Sequence, residues 1–300
     1  MNAIEIQNLS KAFHGMYAVD HLDMTVPEGA IYGFIGENVS GKSTTEKLIC
    51  GLLVPTHGKI RLFGKSFRNP QIRAETGVLI ENPGCFPGSS VYQNLYMQAL
   101  NLGIVHPGDE VERVLDLVKL TDAADKKFRK CSLGMKQRLG VAQALLGHPR
   151  LLILDEPING LDADGVRIVR ETLLKVNREE GVTILISSHI LDELSKIATH
   201  YGILKEGRMI QEIRADQLNE RCQDHVLVRT VNDMQAFGLL RKFYPSVQST
   251  DDGIRIYGEQ DSTKISEMLL SKGIAVSMLE TKQIGLEEYY IDLMKEVSRA

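Results

Sequence analysis

The chain has 300 residues, 43% hydrophobic and 25% charged, with a formal net charge of −4. That length suits one large and one small domain with ample core for an α/β part, and the acidic balance argues against a nucleic-acid surface, which needs clustered Lys and Arg. No stretch approaches the roughly 18 apolar residues that span a bilayer, and the N-terminus lacks a signal peptide's basic start and apolar run, so a cytoplasmic protein is expected.

Ile31 to Ile35 reads as a short buried strand. It leads into Gly36-Glu37-Asn38-Val39-Ser40-Gly41-Lys42-Ser43, then Thr44, which fits the pattern G-x-x-x-x-G-K-[ST]. The spacing is mechanical: backbone N–H groups wrap a phosphate, the lysine reaches its terminal oxygens and the hydroxyl meets magnesium. A helix is predicted over Lys42 to Leu53, with Leu48, Ile49, Leu52 and Leu53 on one apolar face, so that the phosphates would sit at its N-terminus. Val39 stands where such loops usually have glycine, because the backbone there takes φ > 0; for a β-branched residue that costs roughly 1–3 kcal/mol. Either nucleotide affinity is weakened, or the loop absorbs the valine with a small tilt.

Gly77 to Ile80 forms a further strand, leading into a loop headed by Glu81, in which Pro83, Gly84, Pro87 and Gly88 make a hinge. Residues 87–130 are helix-rich; Asp109 and Glu112 suggest a capping box, and Val111, Val114, Leu115 and Val118 follow the helical period. The basic run Lys126-Lys127-Phe128-Arg129-Lys130 reads as a solvated approach to Ser132, which precedes a helix from about Met135 to Leu146. Leu151-Leu152-Ile153-Leu154 suits a central strand of a parallel sheet, and it delivers Asp155-Glu156 to the carboxyl end, where such sheets bind ligands. There Asp155 would hold magnesium through water and Glu156 would polarise the water that attacks a γ-phosphate. Pro157 stops the strand. After another strand, Thr183 to Ile186, come Ser187-Ser188-His189.

Beyond about residue 215 the motifs stop. Strands at His225–Arg229, Gly253–Tyr257 and Ile274–Leu279 alternate with helices at 233–243, 262–272 and 286–297, which suggests a small α+β domain without a catalytic constellation. The cysteines Cys50, Cys85, Cys131 and Cys222 are scattered without metal-ligand pairing and read as reduced thiols.

The segment from Cys131 to Gln143, with S-L-G-M-K-Q-R where the commoner form is S-G-G-Q, resembles the signature motif of ATP-binding cassette ATPases. Asn159-Gly160-Leu161-Asp162 resembles that family's D-loop, and Ser187-Ser188-His189 its H-switch. The resemblance covers about residues 1–215. It implies an α/β P-loop cassette with a parallel-sheet core, an antiparallel N-terminal β part and a helical subdomain at about 87–150, followed by an accessory domain at 216–300. It also implies a head-to-tail dimer of cassettes enclosing ATP and Mg2+, each nucleotide meeting Ser132, Leu133, Gly134 and Met135 of the opposite subunit, with Asp162 at the junction. His189 would contact the γ-phosphate. Phe13 matches the adenine-stacking aromatic, although an aromatic near an N-terminal strand is as readily core.

Glu81 stands where the family usually has a glutamine that touches magnesium and faces the membrane partner, and a carboxylate is the stronger ligand for a hard cation; the alternative is a residue that merely caps its loop. Together with S-L-G-M-K-Q-R and Ile186 to Leu191, Glu81 resembles the subgroup that protects bacteria against lantibiotics and bacitracin. The function implied is the ATPase subunit of an exporter, peripheral on the cytoplasmic face of the membrane and driving a separate multispanning permease. A soluble or regulatory cassette with weak hydrolysis is the rival.

Overall fold

A computed structural model describes residues 1–221, 225–250, 252–258, 261–282 and 285–299. Cys222 lies outside them. The chain divides into two compact units, Met1–Ala215 and Asp216–Ala300.

The first unit runs β1 (Asn2–Phe13), β2 (Met16–Pro27), β3 (Ile31–Gly36), α1 (Lys42–Ile49), β4 (His57–Leu62), β5 (Lys65–Ser66), α2 (Pro70–Ala74), β6 (Thr76–Leu79), α3 (Val91–Asn101) and α4 (Pro107–Leu117). It continues through α5 (Leu133–Leu145), β7 (Leu151–Asp155), α6 (Ala163–Glu180), β8 (Thr183–Ser187), α7 (Leu191–Ser195), β9 (His200–Lys205) and β10 (Arg208–Arg214), and α8 (Ala215–Arg221) follows. Six strands form one sheet in the order β10-β9-β3-β8-β7-β6. All its pairings are parallel except the β9–β10 hairpin. Every residue of β3, β7 and β8 is buried, as expected of parallel strands covered on both faces. A second, antiparallel sheet has the order β2-β1-β4-β5. Ile4, Ile6, Leu9, Leu22, Met24 and Ile60 from that sheet share a core with Tyr32, Phe34, Leu48, Ile153 and Leu185. The P-loop cassette architecture expected from the resemblance is therefore present.

Several local expectations need correction. Helix α1 ends at Ile49 rather than Leu53: Gly51 takes φ 73° and the N–H groups of Leu52 and Leu53 fold back onto the Lys47 carbonyl, a glycine-terminated cap. Leu52, expected on the buried face, is 62% exposed. Asp109 and Glu112 do not form a capping box. Helix α4 starts earlier, with Pro107 in its first turn, because proline has no N–H to leave unpaired there. The capping box is at α3 instead, where the Ser90 hydroxyl accepts from Gln93 N at 3.1 Å and the Gln93 side chain accepts from Ser90 N at 2.9 Å. Helix α5 begins at Leu133, not Met135, because Ser132 is itself the N-cap, accepting from Met135 N at 3.2 Å.

The second unit contains β11 (His225–Thr230), α9 (Asp233–Leu240), β12 (Val247–Thr250), β13 (Gly253–Tyr257), α10 (Ser262–Ser271), β14 (Val276–Lys282) and α11 (Leu286–Arg299). Its antiparallel sheet has the order β12-β13-β11-β14, that of a split β-α-β ferredoxin-like unit. Val226, Val228, Ile254 and Ile256 pack on Ala236 and Leu240 of α9 and Ile265 and Leu269 of α10. Strand β12 was not legible in the sequence, and the last strand runs Val276–Lys282 rather than Ile274–Leu279.

Candidate nucleotide site

Strand β3 ends at the edge of a cleft of about 720 Å3, and the phosphate-loop pattern turns there into α1. Glu37, Asn38 and Val39 are exposed; Ser40, Gly41 and Lys42 are buried. Lys42 Nζ donates to the Gly36 carbonyl and to the Glu37 carbonyl at 3.1 Å, so the lysine is folded back along its own loop. Burial pulls its pKa down, opposed by the nearby charges of Glu156, Glu46 and Asp155. Val39 has φ 70°, the left-handed conformation, and is 99% exposed.

Asp155 and Glu156 reach the same cleft from the carboxyl end of β7. Asp155 pairs in register with Ser187 of β8, whose hydroxyl donates to Asp155 Oδ1 at 2.9 Å. The same hydroxyl accepts from Glu156 N at 3.1 Å, so one serine fixes both acids. Glu156 leaves the strand with φ 49°, and its Oε2 lies 2.8 Å from His189 Nδ1. Gln137 of α5 donates to the Glu156 carbonyl at 3.0 Å, tying the helix after Ser132 to the acid.

Of the residues expected from sequence, the cleft is lined by Phe13, Glu37 to Thr44, Glu81, Leu133, Asp155 and Glu156. Phe13 is 41% exposed, which favours a ring available for stacking over a core role. His189 joins the site through Glu156. Ser132, Gly134, Met135 and Asp162 do not line the cleft; Ser132 caps α5, and Asp162 caps α6 by accepting from Gly165 N at 2.8 Å. Glu81 takes φ 62° and pairs with Lys47 of α1 at 2.6 Å, and that partner holds its carboxyl below the usual range.

Sequence reasoning passed over three participants. Glu46 of α1 is fully buried, beside Asp155 and Ser187. Burial, then the neighbouring Asp155 charge, pushes its pKa well above the usual value. Its signal was available: a glutamate beside Thr45, Leu48 and Ile49, all buried on one face of α1. Lys47 and Gln137 could not be found from spacing, because their contacts are tertiary.

A family profile described as ABC transporter matches residues 19–159. The chain is 36% identical over 299 residues to the bacitracin transport ATP-binding protein BcrA of Bacillus licheniformis, covering 97% of each chain. It is 38% identical over 213 residues to the lantibiotic transport ATP-binding protein SrtF of Streptococcus pyogenes, covering 71% of this chain and 91% of that one. Among solved structures it is similar to CbiO1 of Clostridium perfringens, part of the ABC transporter complex CbiONQ, with a TM-score of 0.65, 27% identity, and coverage of 72% and 90%. Identity of this extent over almost the whole length, on the fold described, places the chain in the ABC transporter family as an ATP-binding, ATP-hydrolysing subunit.

Proposed function

We propose that the chain powers export of peptide antibiotics of the bacitracin or lantibiotic kind through a separate membrane-spanning permease, as a cassette docked on the cytoplasmic face of the membrane. The observation that carries this reading is the similarity to BcrA along 97% of both chains, which includes the residues beyond the cassette itself. No helix among the described residues is long and apolar enough to cross a membrane, in keeping with a motor that works on another chain.

In this reading the N–H groups at the start of α1 receive the β- and γ-phosphates of ATP, and Lys42 exchanges the carbonyls of Gly36 and Glu37 for phosphate oxygens. Phe13, partly exposed at the cleft wall, stacks on the adenine. The Ser43 hydroxyl and the Asp155 carboxylate are hard oxygen donors lining one cleft, and they fit Mg2+, which is commonly held by one or two carboxylates plus substrate phosphates. Bound there, Mg2+ supplies charge neutralisation across the phosphates. Glu156 orients the attacking water and accepts its proton, a role worth about 10²–10⁴-fold in rate. His189 holds the Glu156 carboxylate in place, and Ser187 fixes its backbone. Ser132, Leu133, Gly134 and Met135 face the nucleotide of a second cassette, with Asp162 beside it, and α5's N-terminal dipole favours the γ-phosphate. Glu81 heads the loop that faces the permease; to reach the metal its carboxylate has to leave Lys47.

The test is a host strain deleted for this chain and challenged with bacitracin and with a lantibiotic. Sensitivity should rise, and the native gene, but not Glu156→Gln, should restore resistance. Unchanged resistance to both in the deletion strain would overturn the export assignment.

A further inference from the structure

The phosphate loop carries a β-branched residue in the left-handed region; within the loop, Ser40 N donates to the Glu37 carbonyl at 3.1 Å and Lys42 Nζ holds the carbonyls of Gly36 and Glu37, and ATP binding would draw that lysine away. Support comes from outside. The β9–β10 hairpin closes through Glu206 and Gly207, with Lys205 paired to Arg208 and both turn residues at positive φ, 50° and 80°. This is a two-residue turn of the kind whose twist matches its strands. Gly207 N donates to the Ser40 carbonyl at 2.9 Å, immediately after Val39, and the Gly207 carbonyl accepts from Asp20 N at 2.9 Å. Arg208 then grips Asp20, with Nε at 2.8 Å and Nη2 at 2.6 Å from Oδ2. Three backbones converge here without room for side chains. A Cβ on Gly41 would lie 2.5 Å from the Ala18 carbonyl oxygen, and one on Gly207 would lie 2.9 Å from the same atom.

We propose that the Glu206–Gly207 turn, pinned by the Arg208–Asp20 pair, is a positioning element for ATP binding: it holds the phosphate loop in the nucleotide-competent shape that Val39 opposes. This rests on the reading of that loop as the nucleotide site. When only a fraction of molecules has a competent loop, the apparent dissociation constant rises by the inverse of that fraction. With valine at position 39, loosening the turn lowers the fraction. In the Val39→Gly background the loop takes its shape unaided, so the same loosening has little effect.

The experiment measures Kd, KM and kcat for Mg-ATP with the full chain carrying Arg208→Ala or Gly207→Ala, each in the native and Val39→Gly backgrounds, with melting curves to check folding. In the native background Arg208→Ala should raise Kd and KM about threefold, the scale of an exposed ion pair, and Gly207→Ala should raise them more, with kcat at saturation little changed. Both losses should shrink to near nothing beside Val39→Gly. Arg208→Lys should restore affinity, since both contacts fall on one Asp20 oxygen. Equal losses in the two backgrounds, or no loss in the native one, would overturn the positioning role. Lys42→Ala serves as the control: if it leaves ATP affinity intact, the nucleotide reading fails and takes this proposal with it.

Discussion

Replacing Val39 by glycine should make the cassette more stable and tighten its hold on nucleotide. The valine sits at φ 70° with 99% of its surface exposed, so its removal sacrifices almost no packing. Relief of a strained left-handed conformation is worth about 1–3 kcal/mol. Against this, glycine loosens the unfolded chain at a cost of about 0.4–1 kcal/mol. The net gain is about 0–2.6 kcal/mol, which for a unit of this size is a rise in Tm of up to roughly 10 °C. Thermal unfolding with and without saturating Mg-ATP would measure it, together with the dissociation constant of ATP. A variant less stable than the native chain, or one that binds ATP more weakly, would refute the strain reasoning.

Lys42→Ala should lower ATP affinity by about thirtyfold or more, because a buried charged partner of the phosphates is removed, and titration calorimetry would read the loss. Glu46 gives a pH signature. In the unfolded chain it titrates near 4.5, and in the folded chain well above that, so its stabilising contribution is full below about 4.5 and is lost as pH rises through the folded value. The native Tm should therefore fall relative to that of Glu46→Gln as pH rises across this window, whereas parallel curves would refute it. Gly77→Ala should destabilise by about 3 kcal/mol, the top of the range for overpacking. Its Cβ would lie 1.9 Å from the Ala144 carbonyl oxygen of α5, and denaturant unfolding would report the loss.

The central machinery was legible because its chemistry is local. Gly36 to Ser43 carry their glycine, lysine and serine spacing in one continuous stretch between β3 and α1, and β7 announces itself as an unbroken apolar run before Asp155 and Glu156. The positive φ at Val39 followed from the same local logic. Element ends were less visible where two local signals competed. Leu52 and Leu53 prolong the apolar pattern of α1, yet the left-handed Gly51 ends it, and Pro107 opens α4 ahead of the acidic residues that resemble a cap. Strand β12 lies at a sheet edge with two of its four residues exposed, so it lacks the alternation that marks a strand. Contacts such as Lys47–Glu81, Gln137–Glu156 and Gly207–Ser40 join residues far apart in the chain, and only the folded topology brings them together.

The most direct test of the catalytic assignment is phosphate release from Mg-ATP by the purified chain beside Glu156→Gln. The native chain should turn over, and the variant should lose about 10²–10⁴-fold in kcat while still binding ATP, because glutamine keeps the shape of the side chain beside His189 but cannot take the proton. Turnover by Glu156→Gln within about tenfold of the native rate would contradict the assignment of Glu156 as the base, since general-base contributions begin near a hundredfold.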